Sequence, residues 1–297
     1  MRFNSNLIGE GIIMKKVGFI GLGAMGLPMA QNLLKQGFEL QVAQHVNPDP
    51  VIVLQKQGAQ VHSNLVEVIR SSEVVISILP TDQELNEVLL SEEIIAAFQE
   101  NAILIEMTSG SPDAIKNLDR VYRENGIRIL DAPVSGGTSG AENGTLTAMV
   151  GGDPFTLNEV EEVIGAMAKN VYSVGDVGTG KAIKAINQML AGIHMIATSE
   201  AISLAKELDV DTAILKEVIG DSSGQSWILM NKLDSIVNQQ FDPGFKLKLM
   251  KKDVQIAVDE GRTSVLPIAS LALQLYKLAE KEDGELDFAA ISKNLIH

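Results

Sequence analysis

The chain of 297 residues contains no cysteine. That excludes a disulfide framework, a cysteine nucleophile and any thiolate metal site, and it fits a reducing compartment, so a cytoplasmic location is expected. Positive charge is scarce. Twenty-four Lys and Arg face 38 Asp and Glu, for a formal net charge of -14. Such a field repels nucleic acid and anionic membrane, and neither is an expected partner. An anionic ligand would need a few local cations working against the overall charge. Aromatic residues make up only 4%, with a single Trp. No apolar run is long enough to cross a membrane without interruption: the longest helical stretch carries His194, Ser199 and Glu200. Histidine is equally sparse, and His45, His62, His194 and His297 show no ligand spacing, so no metal site is expected.

What is present is ordinary globular material, 45% hydrophobic and 21% charged. The length suggests two domains at roughly 150 residues each. Residues 1–13 carry one basic residue and no apolar core, unlike a secretory signal. They admit two readings. One is a flexible, disordered extension. The other is a translated ribosome-binding site, since Gly9-Glu10-Gly11 implies a purine-rich codon string upstream of a natural start at Met14.

Lys16–Ile20 reads as a buried strand, Ala24–Gln36 as a helix with Gly37 at its C-cap, and Phe38, Leu40 and Val42 as an alternating second strand. This is a βαβ unit, for which a parallel sheet is expected. Further apolar strands are expected at 74–79, 102–107, 127–130 and 145–150. After about Gly175 the strand signal stops, and Lys181–Leu208 reads as one long helix followed by more helices. The expected domains are 14–176 and 177–297.

Gly21-Leu22-Gly23-Ala24-Met25-Gly26 is a G-x-G-x-x-G turn between strand and helix. In such a turn Gly21 permits the tight bend, Gly23 admits a pyrophosphate and Gly26 lets helix and strand pack. The helix N-terminus offers free N–H groups to phosphate. The second strand ends Ala43-Gln44-His45, with neither a carboxylate for a ribose 2′-OH nor an arginine for a 2′-phosphate. NAD and NADP both stand as cofactor.

Three further groups stand out. Asp131-Ala132-Pro133-Val134-Ser135-Gly136-Gly137 is either a tight loop or a cradle for a carboxylate. Lys184 leads Asn187 and Gln188 at i+3 and i+4 on one helix face. It is either a solvent-facing lysine or an amine crowded by Ala182, Ile183, Ala185 and Ile186. Lys246, Lys248, Lys251 and Lys252 form the densest basic cluster, either a solvated face or, through Lys252-Asp253, a local cation for an anion.

GFIGLGAMG, DAPVSGG, GTGKAIKAIN and FKLKLMKKD, in that order, resemble the β-hydroxyacid dehydrogenase family from about Lys16 to the C-terminus. The resemblance implies an α/β Rossmann N-terminal domain and an all-α C-terminal domain joined by a long helix, with the active site in the cleft. It implies an NAD(P)-dependent oxidoreductase that interconverts a small β-hydroxy acid, of the 3-hydroxyisobutyrate or 2-hydroxy-3-oxopropionate type, and its aldehyde or keto acid. Lys184 matches the acid/base and Asn187 the amide near the reacting oxygen. Ser135, Gly136 and Gly137 match the substrate-carboxylate loop. Lys252 matches a lysine that closes over substrate and nicotinamide. Leu79, Pro80, Ser109, Phe245 and Asp253 match cofactor contacts, beside the glycine turn and the Gln44-His45 pair. A homodimer or homotetramer is implied. As general base Lys184 would need its pKa lowered toward roughly 7–8.

Four rivals stand beside this reading. His194, Ser222-Ser223-Gly224-Gln225-Ser226-Trp227 and Asn231 resemble the subgroup that oxidises four-carbon sugar acids such as threonate. A 6-phosphogluconate dehydrogenase would have a longer helical domain, and imine reductases usually lack the lysine. A non-catalytic dinucleotide-binding module would need neither Lys184, Asn187 nor the serine–glycine loop.

Overall fold

The computed structural model describes residues 15–296. The extension expected over 1–13, the start at Met14 and His297 lie outside the described residues. The chain forms two compact units, one ending at Lys184 and the other beginning at Ala185.

The first unit alternates strands and helices: β1 (Lys16–Ile20), α1 (Gly26–Lys35), β2 (Glu39–Ala43), α2 (Asp49–Lys56), β3 (Gln60–His62), α3 (Leu65–Arg70), β4 (Val74–Ser77), α4 (Asp82–Leu89), α5 (Glu92–Ile95), β5 (Ile103–Glu106), α6 (Pro112–Glu124), β6 (Arg128–Asp131), β7 (Val134–Ser135), α7 (Gly137–Glu142), β8 (Leu146–Gly151), α8 (Pro154–Gly165) and β9 (Ala168–Gly175). The strands join in one sheet of order β3-β2-β1-β4-β5-β6-β8-β7, with β9 also paired to β8. The first six, in the order 3-2-1-4-5-6, run parallel and form the doubly wound dinucleotide-binding topology.

Successive residues of a strand face opposite sides of a sheet. Val74 and Ile76 of β4 and Ile103 and Ile105 of β5 therefore enter one core with Met29 and Leu33 of α1. Val75 and Leu104 enter the other with Leu85 of α4 and Leu118 of α6. Burial on both faces explains why these strands read as continuous apolar runs.

The sheet is not wholly parallel, as the βαβ pattern had led one to expect: β8 runs antiparallel to β6 and β7. Between β6 and β8 the chain turns at Pro133 into β7, passes through the short α7 and returns, so that β8 pairs antiparallel with β7 as the return strand of a hairpin-like connection rather than after a full crossover helix. Strand β9 extends the sheet parallel to β8, and β3 forms its opposite edge; neither had been expected.

Helix α9 (Thr179–Glu207) begins in the first unit and continues into the second. The second unit adds α10 (Thr212–Gly220), α11 (Trp227–Val237), α12 (Leu247–Glu260), α13 (Pro267–Asp283) and a 3-10 turn over Phe288–Asn294. It contains no strand among its described residues, and its core gathers Met195, Leu233, Leu247, Met250, Tyr276 and Phe288. No helix among the described residues is long and apolar enough to cross a membrane.

Candidate active site

The glycines of the first turn have different reasons to be glycine. Gly21 has φ +98°, and a Cβ there would lie 2.0 Å from the Ile78 carbonyl oxygen. A Cβ on Gly26 would lie 1.8 Å from the Gly21 carbonyl oxygen. Both contacts are internal to the protein and enforce the tight turn. Gly23 is unlike them, since a Cβ on it would meet nothing within 4 Å. The protein's own packing places no demand there, but a pyrophosphate approaching the backbone would. Helix α1 has Met25 at its N-cap with no side-chain hydrogen bond. The Leu27 N–H donates to the Gly23 carbonyl at 3.0 Å and Pro28 has no N–H, so the Gly26 N–H is the first-turn donor that faces an anion. Leu22 and Met25 lean on the core, and Ala24 is exposed. The turn thus fits a dinucleotide.

The other expected cofactor positions follow neighbouring strands of the same sheet. Gln44 and His45 are exposed just beyond β2, Leu79 and Pro80 follow β4, and Ser109 follows β5. All lie past carboxyl ends of parallel strands, where ligands of doubly wound sheets bind. The Leu79 N–H donates to the Thr108 hydroxyl at 2.9 Å, tying two of these loops together. Ser135 ends β7, and Gly136 and Gly137 follow with φ of 136° and 64°. These positive angles favour glycine and leave the backbone of the loop bare.

Lys184, on the second turn of α9, is buried at 7% exposure, which excludes the solvent-facing reading. The explanation expected from its sequence neighbours needs correction. Ile183 and Ile186 are exposed and do not cover it, because adjacent helical residues point about 100° apart. Of the residues that share its face, Gly180 at i−4, Lys181 at i−3 and Gln188 at i+4 are buried, and Asn187 at i+3 is half-buried.

Lys181, Glu106 and Thr108 were given no role from sequence, and Asp131 only a place at the head of the 131–137 loop, although none is exposed at all. The Lys181 amine pairs with Glu106 and donates to the Thr108 carbonyl at 2.7 Å. Asp131 accepts the Gly178 and Lys181 N–H groups, each at 2.9 Å. Burial pushes the Asp131 carboxyl up to about 6, against the pull of those two N–H donors and the Lys181 charge. Their signal in the sequence is an acid closing each of two apolar strands, ILIE and RILD.

Within the second unit, Asn187 donates its amide to Gln188 at 3.1 Å, and Gln188 donates to Asp253 at 2.8 Å. Asp253 is nearly wholly buried, with the Lys252 amine 3.2 Å from its other oxygen. Phe245 is anchored by its N–H to Asp287 at 3.1 Å, and its ring packs edge-on to Phe288. The rest of the basic cluster is occupied: Lys246 and Lys248 both pair with Glu285, and Lys251 pairs with Glu280. His194 is half-buried on α9, and Trp227 is 65% exposed at the start of α11. Among the described residues no group of three or more His, Asp or Glu could hold a metal ion.

Comparison with known proteins places the chain in a family. Residues 16–175 match the family model described as the NAD binding domain of 6-phosphogluconate dehydrogenase. Residues 178–295 match that described as NAD-binding of NADP-dependent 3-hydroxyisobutyrate dehydrogenase. The 2-(hydroxymethyl)glutarate dehydrogenase of Eubacterium barkeri is 35% identical, over 94% of each chain. The NAD-dependent L-serine dehydrogenase of Pseudomonas aeruginosa is also 35% identical, over 94% of this chain and 97% of that one. A solved 3-hydroxyisobutyrate dehydrogenase from Mycobacterium tuberculosis, with L-serine, superposes with a TM-score of 0.88 at 30% identity, covering 95% of this chain and 99% of its own. The chain belongs to the β-hydroxyacid dehydrogenase family.

Proposed function

We propose that the protein is an NAD(P)-dependent dehydrogenase of small β-hydroxy acids, with Lys184 as general acid/base. The observation that carries this reading is the burial of Lys184 in the unit that also holds the dinucleotide turn. A lysine is costly to bury and is seldom buried without a task or a partner. The compounds in the three relatives' names share a chemical core: one carbon bears both a hydroxymethyl group and a carboxylate, and only its further substituent differs. That core is the proposed substrate class.

The nicotinamide ring, when bound, accepts or returns hydride. The chain's own residues do the rest. Lys184 takes the hydroxyl proton in oxidation and returns it to the alkoxide in reduction. Asn187, one turn further along α9, orients the same oxygen. Ser135 and the bare N–H groups of Gly136 and Gly137 hold the substrate carboxylate, which sets how far the reacting carbon lies from the anchor. Lys252 supplies a further cation for the anionic substrate. The Gly21–Gly26 turn, Gln44, His45, Leu79, Pro80, Ser109, Phe245 and Asp253 hold the dinucleotide. In this reading residues 14–176 form the dinucleotide-binding domain and 177–297 the helical one. A cytoplasmic location and a homodimeric or homotetrameric state belong to the same proposal. Exposed Ile183, Ile186, Leu190 and Leu204 along α9, with Leu208 just past its end, offer a surface for self-association, testable by light scattering.

The deciding experiment is a spectrophotometric screen of dinucleotide reduction, with both NAD and NADP. Its substrates are 3-hydroxyisobutyrate, L-serine, 2-(hydroxymethyl)glutarate and threonate. Turnover of one of the first three supports the proposal. Turnover of threonate alone moves it to sugar acids. Dinucleotide binding without any turnover leaves a non-catalytic module.

A further inference from the structure

The buried charges at the carboxyl edge of the sheet have no part in the chemistry above. Ser77, Glu106 and Asp131 stand in register across β4, β5 and β6, and none is exposed. Lys181 comes to this row from the first turn of α9. Its amine pairs with Glu106 and donates to the Thr108 carbonyl at 2.7 Å, while its backbone N–H donates to Asp131 at 2.9 Å. Glu106 also accepts the Thr108 N–H at 2.9 Å, and the Thr108 hydroxyl accepts the Leu79 N–H at 2.9 Å. Lys181 thereby ties the start of α9 to β5 and the loop after it, and the Thr108 hydroxyl carries the tie on to the loop after β4. The approach is close. A Cβ on Gly180 would lie 2.3 Å from the Met149 carbonyl oxygen and 2.7 Å from an Asp131 carboxylate oxygen.

A wholly buried Glu–Lys pair is a poor source of stability, because the desolvation of both ions cancels much of their attraction. It does fix geometry. An amine with defined acceptors on strand β5 and on its following loop sets both the height and the rotation of the helix turn that carries it. Lys184 is three residues further on, on the same helix face.

We infer that Lys181, held by Glu106 and Asp131, is a positioning residue for the general acid/base: it locks the first turn of α9 to the loops carrying Leu79, Pro80 and Ser109. The inference rests on the proposed role of Lys184. A lysine base displaced by about 1 Å would cost on the order of 100-fold in rate. A residue that served only the fold would cost stability alone.

The test compares wild type, Lys184→Ala and two double variants that avoid leaving one charge buried and unpaired. Lys181→Met/Glu106→Leu replaces the pair with apolar side chains of similar size. Lys181→Gln/Glu106→Gln keeps a neutral hydrogen bond. The Met/Leu variant is expected to fold, to bind NADH within about threefold of wild type, and to lose on the order of 30- to 100-fold in kcat. Its KM for the hydroxy acid changes less, and the deuterium isotope effect on kcat rises as chemistry becomes limiting. The Gln/Gln variant recovers most of the lost kcat. A Met/Leu variant that turns over at the wild-type rate overturns the inference and leaves Lys184 untouched. If Lys184→Ala itself keeps wild-type turnover, the acid/base reading fails and the inference falls with it.

Discussion

Two groups of lysines in this chain have opposite surroundings. Lys181 and Lys184 on α9 are 0% and 7% exposed. Lys246, Lys248, Lys251 and Lys252, at the start of α12 and within it, form the denser cluster, yet Lys246 and Lys248 are 42% exposed and share one carboxylate, Glu285. The two amines hold the Glu285 carboxyl down to about 2, Lys246 foremost. Density along the sequence therefore marks a solvated, mutually neutralising patch. The sparse pair on α9 is the one that has been desolvated, and desolvation is what makes an amine chemically distinct. The acidic net charge sharpens the point: with 38 carboxylates available, surface lysines readily find partners, whereas a buried lysine needs one placed for it.

The comparison breaks first at Lys184. Lys184→Ala should lower kcat by on the order of 1,000-fold, within the range for losing a general acid/base, while NADH affinity stays within about threefold. Steady-state kinetics with fluorescence titration checks both. Residual turnover above about a tenth of wild type would place Lys184 with the surface lysines.

The second prediction concerns the acid beside Lys181. Asp131 is raised from 3.8 to about 6 by burial, with Lys181 and Glu106 as its charged neighbours. The native state therefore holds this proton more tightly than the unfolded chain does. The associated stability is fully present below pH 3.8 and is lost as pH rises through 6. Two pKa units correspond to roughly 3 kcal/mol. Urea unfolding of wild type and Asp131→Asn across that window should show wild type losing stability relative to the variant as pH rises. A constant difference between the two would mean that Asp131 does not titrate there.

How much of this was legible in sequence follows from the range of each interaction. The β1–α1–β2 unit and its glycine turn are local, and their periodicity and spacing are written in about thirty residues. The long helix was equally plain. The strands that went unseen lack that local pattern. Strand β7 has two residues, β3 has three, and β9 carries exposed Lys169 and Asn170 beside half-buried positions, so neither alternation nor an apolar run marks it. The Glu106–Lys181 pair joins residues far apart in the chain, and no spacing rule connects them. Lys184 illustrates a subtler failure. Its burial was legible only as one of two alternatives, and the neighbours credited with it were adjacent in sequence, whereas the helix turns Ile183 and Ile186 away.

The α12 group holds one lysine that the proposed chemistry uses, the half-buried Lys252, and it sharpens the contrast at lower amplitude. Lys252→Ala should raise KM for the hydroxy acid about 10-fold, since a charge-assisted contact is worth roughly 1.5–3 kcal/mol, with a smaller change in kcat. Lys248→Ala serves as the control and should leave KM unchanged. Equal effects from the two would erase the distinction between a substrate cation and a solvated one.

The smallest effect is expected at Glu285, which neutralises two lysines and looks important when contacts are counted. Its side chain is 66% exposed, so water competes with both partners and salt screens what remains. Lys246 and Lys248 also lose rotamer freedom in holding the pair, which offsets the attraction. Glu285→Ala should therefore shift Tm by no more than about 2 °C, and by less at high salt. Thermal unfolding at low and high ionic strength measures this directly. A shift as large as that of Lys181→Met alone would mean that exposure does not separate the two lysine groups, because a buried ion and an exposed one would then cost the same to leave without a partner.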